Sequence, residues 1–217
     1  MDKPKGIDLT DELNLYLVAN GLKPATIIVL DSLNFNDEHS VRREGNYLEV
    51  YEEADIKLRP EHMEQVKEFL GRLGVVSHQK ATDTYEVRNT KGDMISVERI
   101  SFVVGKDQVS LERLLHAEND EEIGLALGFP SEAVKAYKKI IDGEMRGGSY
   151  AVVCQAKAKK AGMQLPTWLA YINHAPEQLD LIGDKVSETS RSLGERYQAF
   201  VRANNSDLAK RVEQHFR

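Results

Sequence analysis

Asp31 follows the short apolar run ATIIVL, and the loop after it carries Asn34, Asn36, Asp37 and Glu38. Carboxylates and amides at that density are hard oxygen ligands of the kind Mg²⁺ takes, and two carboxylates can form an acid–base pair. Asp and Asn also favour turns for local hydrogen-bonding reasons, so the same residues fit a plain loop leaving a strand. The six histidines, His39, His62, His78, His116, His174 and His215, are scattered. None has a second His or a Cys at metal-ligand spacing, so no metal site is assigned and no cofactor is expected. The single cysteine, Cys154, lies in the apolar run YAVVCQA and cannot form an internal disulfide. A nucleophilic thiol needs a base and partial exposure, whereas this setting suits a small packed hydrophobe. The chain has no Gly-rich phosphate loop ending in Lys-Ser/Thr, no dinucleotide fingerprint and no nucleophile elbow. No catalytic residue is assigned, and the reading leans away from an enzyme.

The other side chains able to do chemistry are basic or aromatic. Residues 133–163 hold Lys135, Lys138, Lys139, Arg146, Lys157, Lys159 and Lys160 against Asp142 and Glu144. Such a patch can meet phosphates, and Ser131, Lys135, Lys138 and Lys139 are the candidate nucleic-acid contacts. A solvated helix face would look the same. The net charge of −6 argues against non-specific coating of nucleic acid, and the acidic excess is confined to residues 1–105. Trp168 and Tyr171, in PTWLAYINH, offer either a base-stacking surface or core packing.

The elements that must position these groups centre on Asn119–Asp142. Asp120 is the expected N-cap, with Glu121 and Glu122 in the first turn, where the helix dipole favours negative charge. Ile123, Ala126 and Leu127 share one face, and Gly128 supplies a left-handed end. Pro130 and Ser131 open a second helix whose expected buried face is Ala133, Val134, Tyr137, Ile140 and Ile141. Ile123, Gly124, Leu127, Gly128, Phe129, Val134 and Tyr137 together resemble the helix-turn-helix of DNA-binding domains. That resemblance covers residues 119–142 and implies a steep crossing of two short helices with a small residue at the contact. The pattern departs from the family in its exposed positions, which are Ser131, Glu132, Lys135 and Lys138 rather than Arg, Asn or Gln facing base edges. The same run also resembles an uncharacterised bacterial family through its Glu-Ile-Gly, Leu-Gly, aromatic-Pro and acidic-x-Val elements, which imply no activity.

Along the chain, periodicity predicts a helix over 8–20, a strand over 25–30 buried on both faces, and a polar loop over 31–46. Strands follow at 47–51 and around Ile56–Leu58, then a helix over 60–73. Three or four strands fill 75–104, with a turn at Asn89–Asp93. Beyond Gly105–Asp107 only helices are expected, over 110–117, 120–127, 131–142, 149–161, 166–173, 186–203 and 207–216, with Ser110 capping the first. The fold class is therefore α+β: an N-terminal mixed, partly antiparallel sheet with packed helices (residues 1–105), then an all-helical C-terminal region (106–217), which can pack as one unit. The N-terminus lacks a signal-peptide core and no apolar run reaches membrane-spanning length. The expectation is a cytoplasmic, non-catalytic binding or interaction protein with a protein partner or self-association, and no membrane. The alternatives are a helix-turn-helix nucleic-acid regulator and a metal-assisted enzyme using the loop after Asp31.

Overall fold

The structure is a computed structural model that describes residues 3–35, 41–44, 47–51, 54–143, 165–172, 174 and 188–216. The fold is α+β. Helix α1 (Leu9–Ala19) starts at Asp8, whose carboxylate accepts from the Asp11 backbone N–H at 2.7 Å, and ends at Asn20 and left-handed Gly21. Strand β1 (Ala25–Asp31) runs into a 3₁₀ turn, Ser32–Asn34. Strands β2 (Val41–Glu44) and β3 (Tyr47–Val50) form an antiparallel hairpin, so part of the expected 31–46 loop is strand. Helix α2 (Pro60–Arg72) opens with Pro60 in its first turn and buries Val66, Phe69 and Leu70. The long strands β4 (Val76–Arg88) and β5 (Met94–Gly105) are joined by a turn over residues 89–93, with Gly92 at φ 93° and two backbone N–H groups bonded to the Asn89 side chain.

The sheet order is β1-β5-β4, with every ladder antiparallel. Among the described residues the parallel component is confined to two isolated bridges, Val50 to Asn89 and Ile56 to Val97. β1 is therefore an edge strand, and the expectation that both its faces are buried is corrected. Ile28 and Leu30 point into the core while Val29 is 44% exposed. A continuous β-branched run guarantees strand conformation but not two covered faces. Residues 75–104 form two long strands rather than three or four. The polar stretch Ser77–Thr84 stays in β4 because that strand lies at the sheet edge with this stretch exposed, and a bulge between Gln79 and Thr82 absorbs the irregularity. Ile56 makes only its bridge, and the Leu58 N–H donates to the Glu98 carboxylate at 2.9 Å instead of joining a strand.

Two compact units divide the chain: Met1–Gly21 with Ala25–Glu112, and Leu22–Pro24 with Arg113–Arg217. In the first, α1 and α2 close over Ile28, Leu30, Phe102 and Val104. Helix α3 (Gln108–Leu115) straddles the division. Asp107 caps it, accepting from the Ser110 N–H at 2.7 Å, so the expected cap at Ser110 is displaced three residues upstream to the side chain that can reach the free N–H.

The second unit holds α4 (Asp120–Ala126), α5 (Ser131–Gly143), a 3₁₀ helix (Thr167–Tyr171), α6 (Glu188–Asn204) and α7 (Ser206–Phe216). Trp168 and Tyr171 are buried at 6% and 2% exposure, so the core alternative holds for both. Trp168 lies on Gly194 of α6, where an added Cβ would stand 2.5 Å from the indole ring. The expected 149–161 helix, with Cys154, lies outside the described residues. Among the described residues no helix is long and apolar enough to cross a membrane.

Candidate functional site

The α4–α5 hairpin is built from local signals. Asn119, one residue before the expected Asp120, caps α4 by accepting from the Glu122 N–H at 3.0 Å. Glu122 returns the contact by accepting from the Glu118 N–H at 2.9 Å. The amide oxygen of Asn119 wins the cap, and Asp120 moves into the first turn among the exposed acids. Gly128 ends the helix at φ 85°, where a side chain would be strained, and the Phe129 N–H closes the turn on the Gly124 carbonyl at 3.0 Å. A Cβ on Gly124 would approach Val134 Cγ2 to 2.8 Å. The two helices therefore meet where only glycine fits. Ala133 and Val134 are buried.

The other face of α5 is open. Ser131, Glu132 and Lys135 are exposed, and Tyr137 is 45% exposed. Tyr137 is thus corrected from the expected buried face, because it lies a helical turn beyond the Gly124–Val134 contact. The side chains of Lys138, Lys139, Ile140 and Ile141 lie outside the described residues. The exposed acids of α4, Asp120, Glu121 and Glu122, give the hairpin a mixed rather than uniformly basic surface.

Beneath the turn is a second group of polar residues. Pro24 packs on Gly128, where an added Cβ would lie 2.6 Å from Pro24 Cδ. Lys23 is buried and its Nζ lies 5.4 Å from the Phe129 ring centre, a cation–π distance. The His174 ring lies 5.1 Å from the same ring, and its Nε2 is 3.0 Å from the buried Ser190 hydroxyl. Burial first, and then the Lys23 charge, pull His174 down to about 4. His174 is therefore uncharged at neutral pH, and it braces the turn from below.

Asp31 sits at the end of β1, as expected. Its Oδ1 accepts from the Leu33 N–H at 2.9 Å and its Oδ2 from the Tyr85 hydroxyl at 2.5 Å. Each carboxylate oxygen thus has a protein donor. Asn34 is half-buried in the 3₁₀ turn, while Asp37 and Glu38 lie outside the described residues. Among the described residues, no three His, Cys, Asp or Glu side chains come together as a metal-binding group.

One cluster was missed by sequence reasoning. Glu213 Oε1 accepts from Arg202 Nε at 2.8 Å, Tyr171 OH at 2.8 Å and Gln198 Nε2 at 3.1 Å. Gln198 also donates to the Thr167 hydroxyl at 2.8 Å. Arg202 leads the causes that hold the Glu213 carboxyl down at about 2, while burial and then Glu213 push the Tyr171 hydroxyl up. The only visible hint in sequence is Gln198 and Arg202 at i and i+4 beside an apolar stripe, which places them on one helix face.

No family model matches the chain, and no solved structure matches it. It is similar to a protein described as "Translation factor GUF1, mitochondrial" from Kluyveromyces lactis, 30% identical over 124 residues. The matched stretch is 57% of this chain and 18% of that protein, so the chain spans under a fifth of its relative's length.

Proposed function

We propose that this protein binds rather than catalyses, and that α5 of the α4–α5 hairpin is its contact element. The observation that supports this is the two-sided character of α5. Val134 is packed against Gly124 and Ala133 is buried, while Ser131, Glu132, Lys135 and half of Tyr137 face outward. A rigidly held helix presenting an aromatic side chain and a cation suits recognition, since rotamer-poor anchors cost little entropy on binding. Photo-crosslinking from position 131 or 137 in the protein's own cells tests the reading. A discrete adduct from these positions, absent from position 84 on β4, is the expected result. No adduct from either helix position would remove it.

The second reading takes nucleic acid as the partner. Its supports are the glycine-mediated crossing of Gly124 with Val134, which helix-turn-helix elements share, and the similarity of part of the chain to a translation factor. Binding to random-sequence duplex DNA and single-stranded RNA should then weaken steeply with salt, because each neutralised phosphate releases counterions. Lys135→Glu should weaken it further. Binding absent at low salt, or indifferent to Lys135→Glu, would leave a protein partner.

A further inference from the structure

An open groove of about 330 Å³ between the end of α6 and one face of α7 is lined by Arg202, Ser206, Ala209, Lys210, Glu213 and Gln214. That volume falls at the lower end of the range of small-molecule sites, about 300–1,000 Å³. Ser206, Lys210 and Gln214 recur every fourth residue along α7 and form one wall, while buried Ala209 is the apolar floor. Arg202 closes the other side.

Hydrogen bonding in this groove is lopsided. Three donors, Tyr171 from the 3₁₀ helix and Gln198 and Arg202 from α6, converge on one oxygen of Glu213, and its Oε2 accepts nothing among the described residues. Arg202 uses Nε on that carboxylate and also engages the Tyr171 hydroxyl, with its side chain 53% exposed to the groove side. A surface ion pair needs only Arg202 and Glu213. Here Tyr171, Gln198 and, behind them, Thr167 fix the carboxylate that in turn fixes the guanidinium. An arginine so held offers a fork of donors at little orientational cost, with the Lys210 ammonium, the Ser206 hydroxyl and the Gln214 amide on the same groove.

We propose that this groove is a binding site for a small molecule bearing an oxyanion, gripped by the Arg202 guanidinium and Lys210. Carboxylates and phosphates share this chemistry, and Glu213 Oε2 is left to accept from a hydroxyl or amine on the same ligand. The site lies on α6 and α7 and is independent of the reading given to α5.

Isothermal titration of the full chain with inorganic phosphate and with citrate, at constant ionic strength set by chloride, is the test. Saturable one-to-one binding of either is expected, weakened at least fivefold by Lys210→Gln and at least tenfold by Arg202→Lys. Binding of phosphate alone identifies a phosphoryl ligand, and binding of citrate alone a carboxylate one. Lys210 lies outside the Glu213 network, so Lys210→Gln reads the site even if the arginine variant fails to fold. The Lys135→Glu protein should titrate as the wild type does. Failure of both anions to bind, affinities unchanged in the Lys210 variant, or competition only by long polynucleotides would overturn the proposal.

Discussion

Asp31 and Glu213 are both carboxylates next to a tyrosine hydroxyl, yet they are used in different ways. Asp31 ends an edge strand and divides its oxygens evenly, one on a backbone N–H two residues away and one on Tyr85. Glu213 gathers three side-chain donors on a single oxygen and leaves the other open to a groove. Asp31 is the more conspicuous in sequence, at a strand end followed by acids and amides. The way donors are shared out, rather than the place in the sequence, separates a carboxylate used for local structure from one with spare capacity to bind.

Acid is the strongest lever on the Glu213 side of this contrast, and the unit's sole tryptophan, Trp168, reports on it through fluorescence-monitored unfolding. His174 takes up its proton near 6.5 when unfolded but near 4 when folded. Between those values the unfolded chain binds more protons, so stability falls as pH falls, by roughly 3 kcal/mol across the window. Glu213 is shifted from 4.5 to about 2, so its contribution is complete above pH 4.5 and is lost as pH falls toward 2. His174→Phe should flatten the upper step and Glu213→Gln the lower one. A single step unchanged by either substitution would detach both groups from the unit's stability.

At neutral pH, Glu213→Ala should cost about 2–3 kcal/mol, because it leaves the buried Tyr171 hydroxyl only the long 3.4 Å contact to the Ala209 carbonyl and frees Arg202. Asp31→Ala should cost less, about 1–2 kcal/mol, since it removes one cap and one hydroxyl contact at a half-buried site. Denaturant midpoints for the two variants give the ordering directly. An Asp31 loss larger than the Glu213 loss would invert the comparison.

How far each region could be read in advance follows the same division between local and long-range cause. The α4–α5 turn was legible because Gly128, Phe129 and Pro130 act on their own backbone, and the small residue expected at the crossing is Gly124 against Val134. The 89–93 turn was legible for the same reason. β4 was not, because Ser77–Thr84 carries no alternation of apolar residues and is held as strand only by pairing with β5. Tyr137 fitted the helical stripe, but which part of a stripe is covered depends on where the partner helix ends. The Glu213 network draws on residues 167, 171, 198, 202 and 213, so no window of sequence contains it. Asp31 was correctly placed at its strand end, but the hydroxyl that engages it comes from Tyr85, fifty-four positions later.

The smallest effect should come from the shortest ion pair among the described residues. Arg99 Nη2 lies 2.6 Å from the Asp83 carboxylate, closer than Arg202 Nε lies to Glu213 at 2.8 Å. Both Arg99 and Asp83 are well exposed, and Arg99 holds the Asp83 carboxyl below its ordinary range mainly through that hydrogen bond. An exposed pair gives back to solvent most of what it gains, is screened by salt and pays to order two long side chains. Glu213, by contrast, is largely covered and anchored by Tyr171 and Gln198, so its arginine contact is set inside a network. Asp83→Asn should therefore leave the unfolding midpoint unchanged within measurement error, in low salt and in high. A clear loss in low salt that disappears in high salt would show that the exposed pair does stabilise the edge of the sheet. Distance would then count for more than surroundings, against the contrast between Asp31 and Glu213.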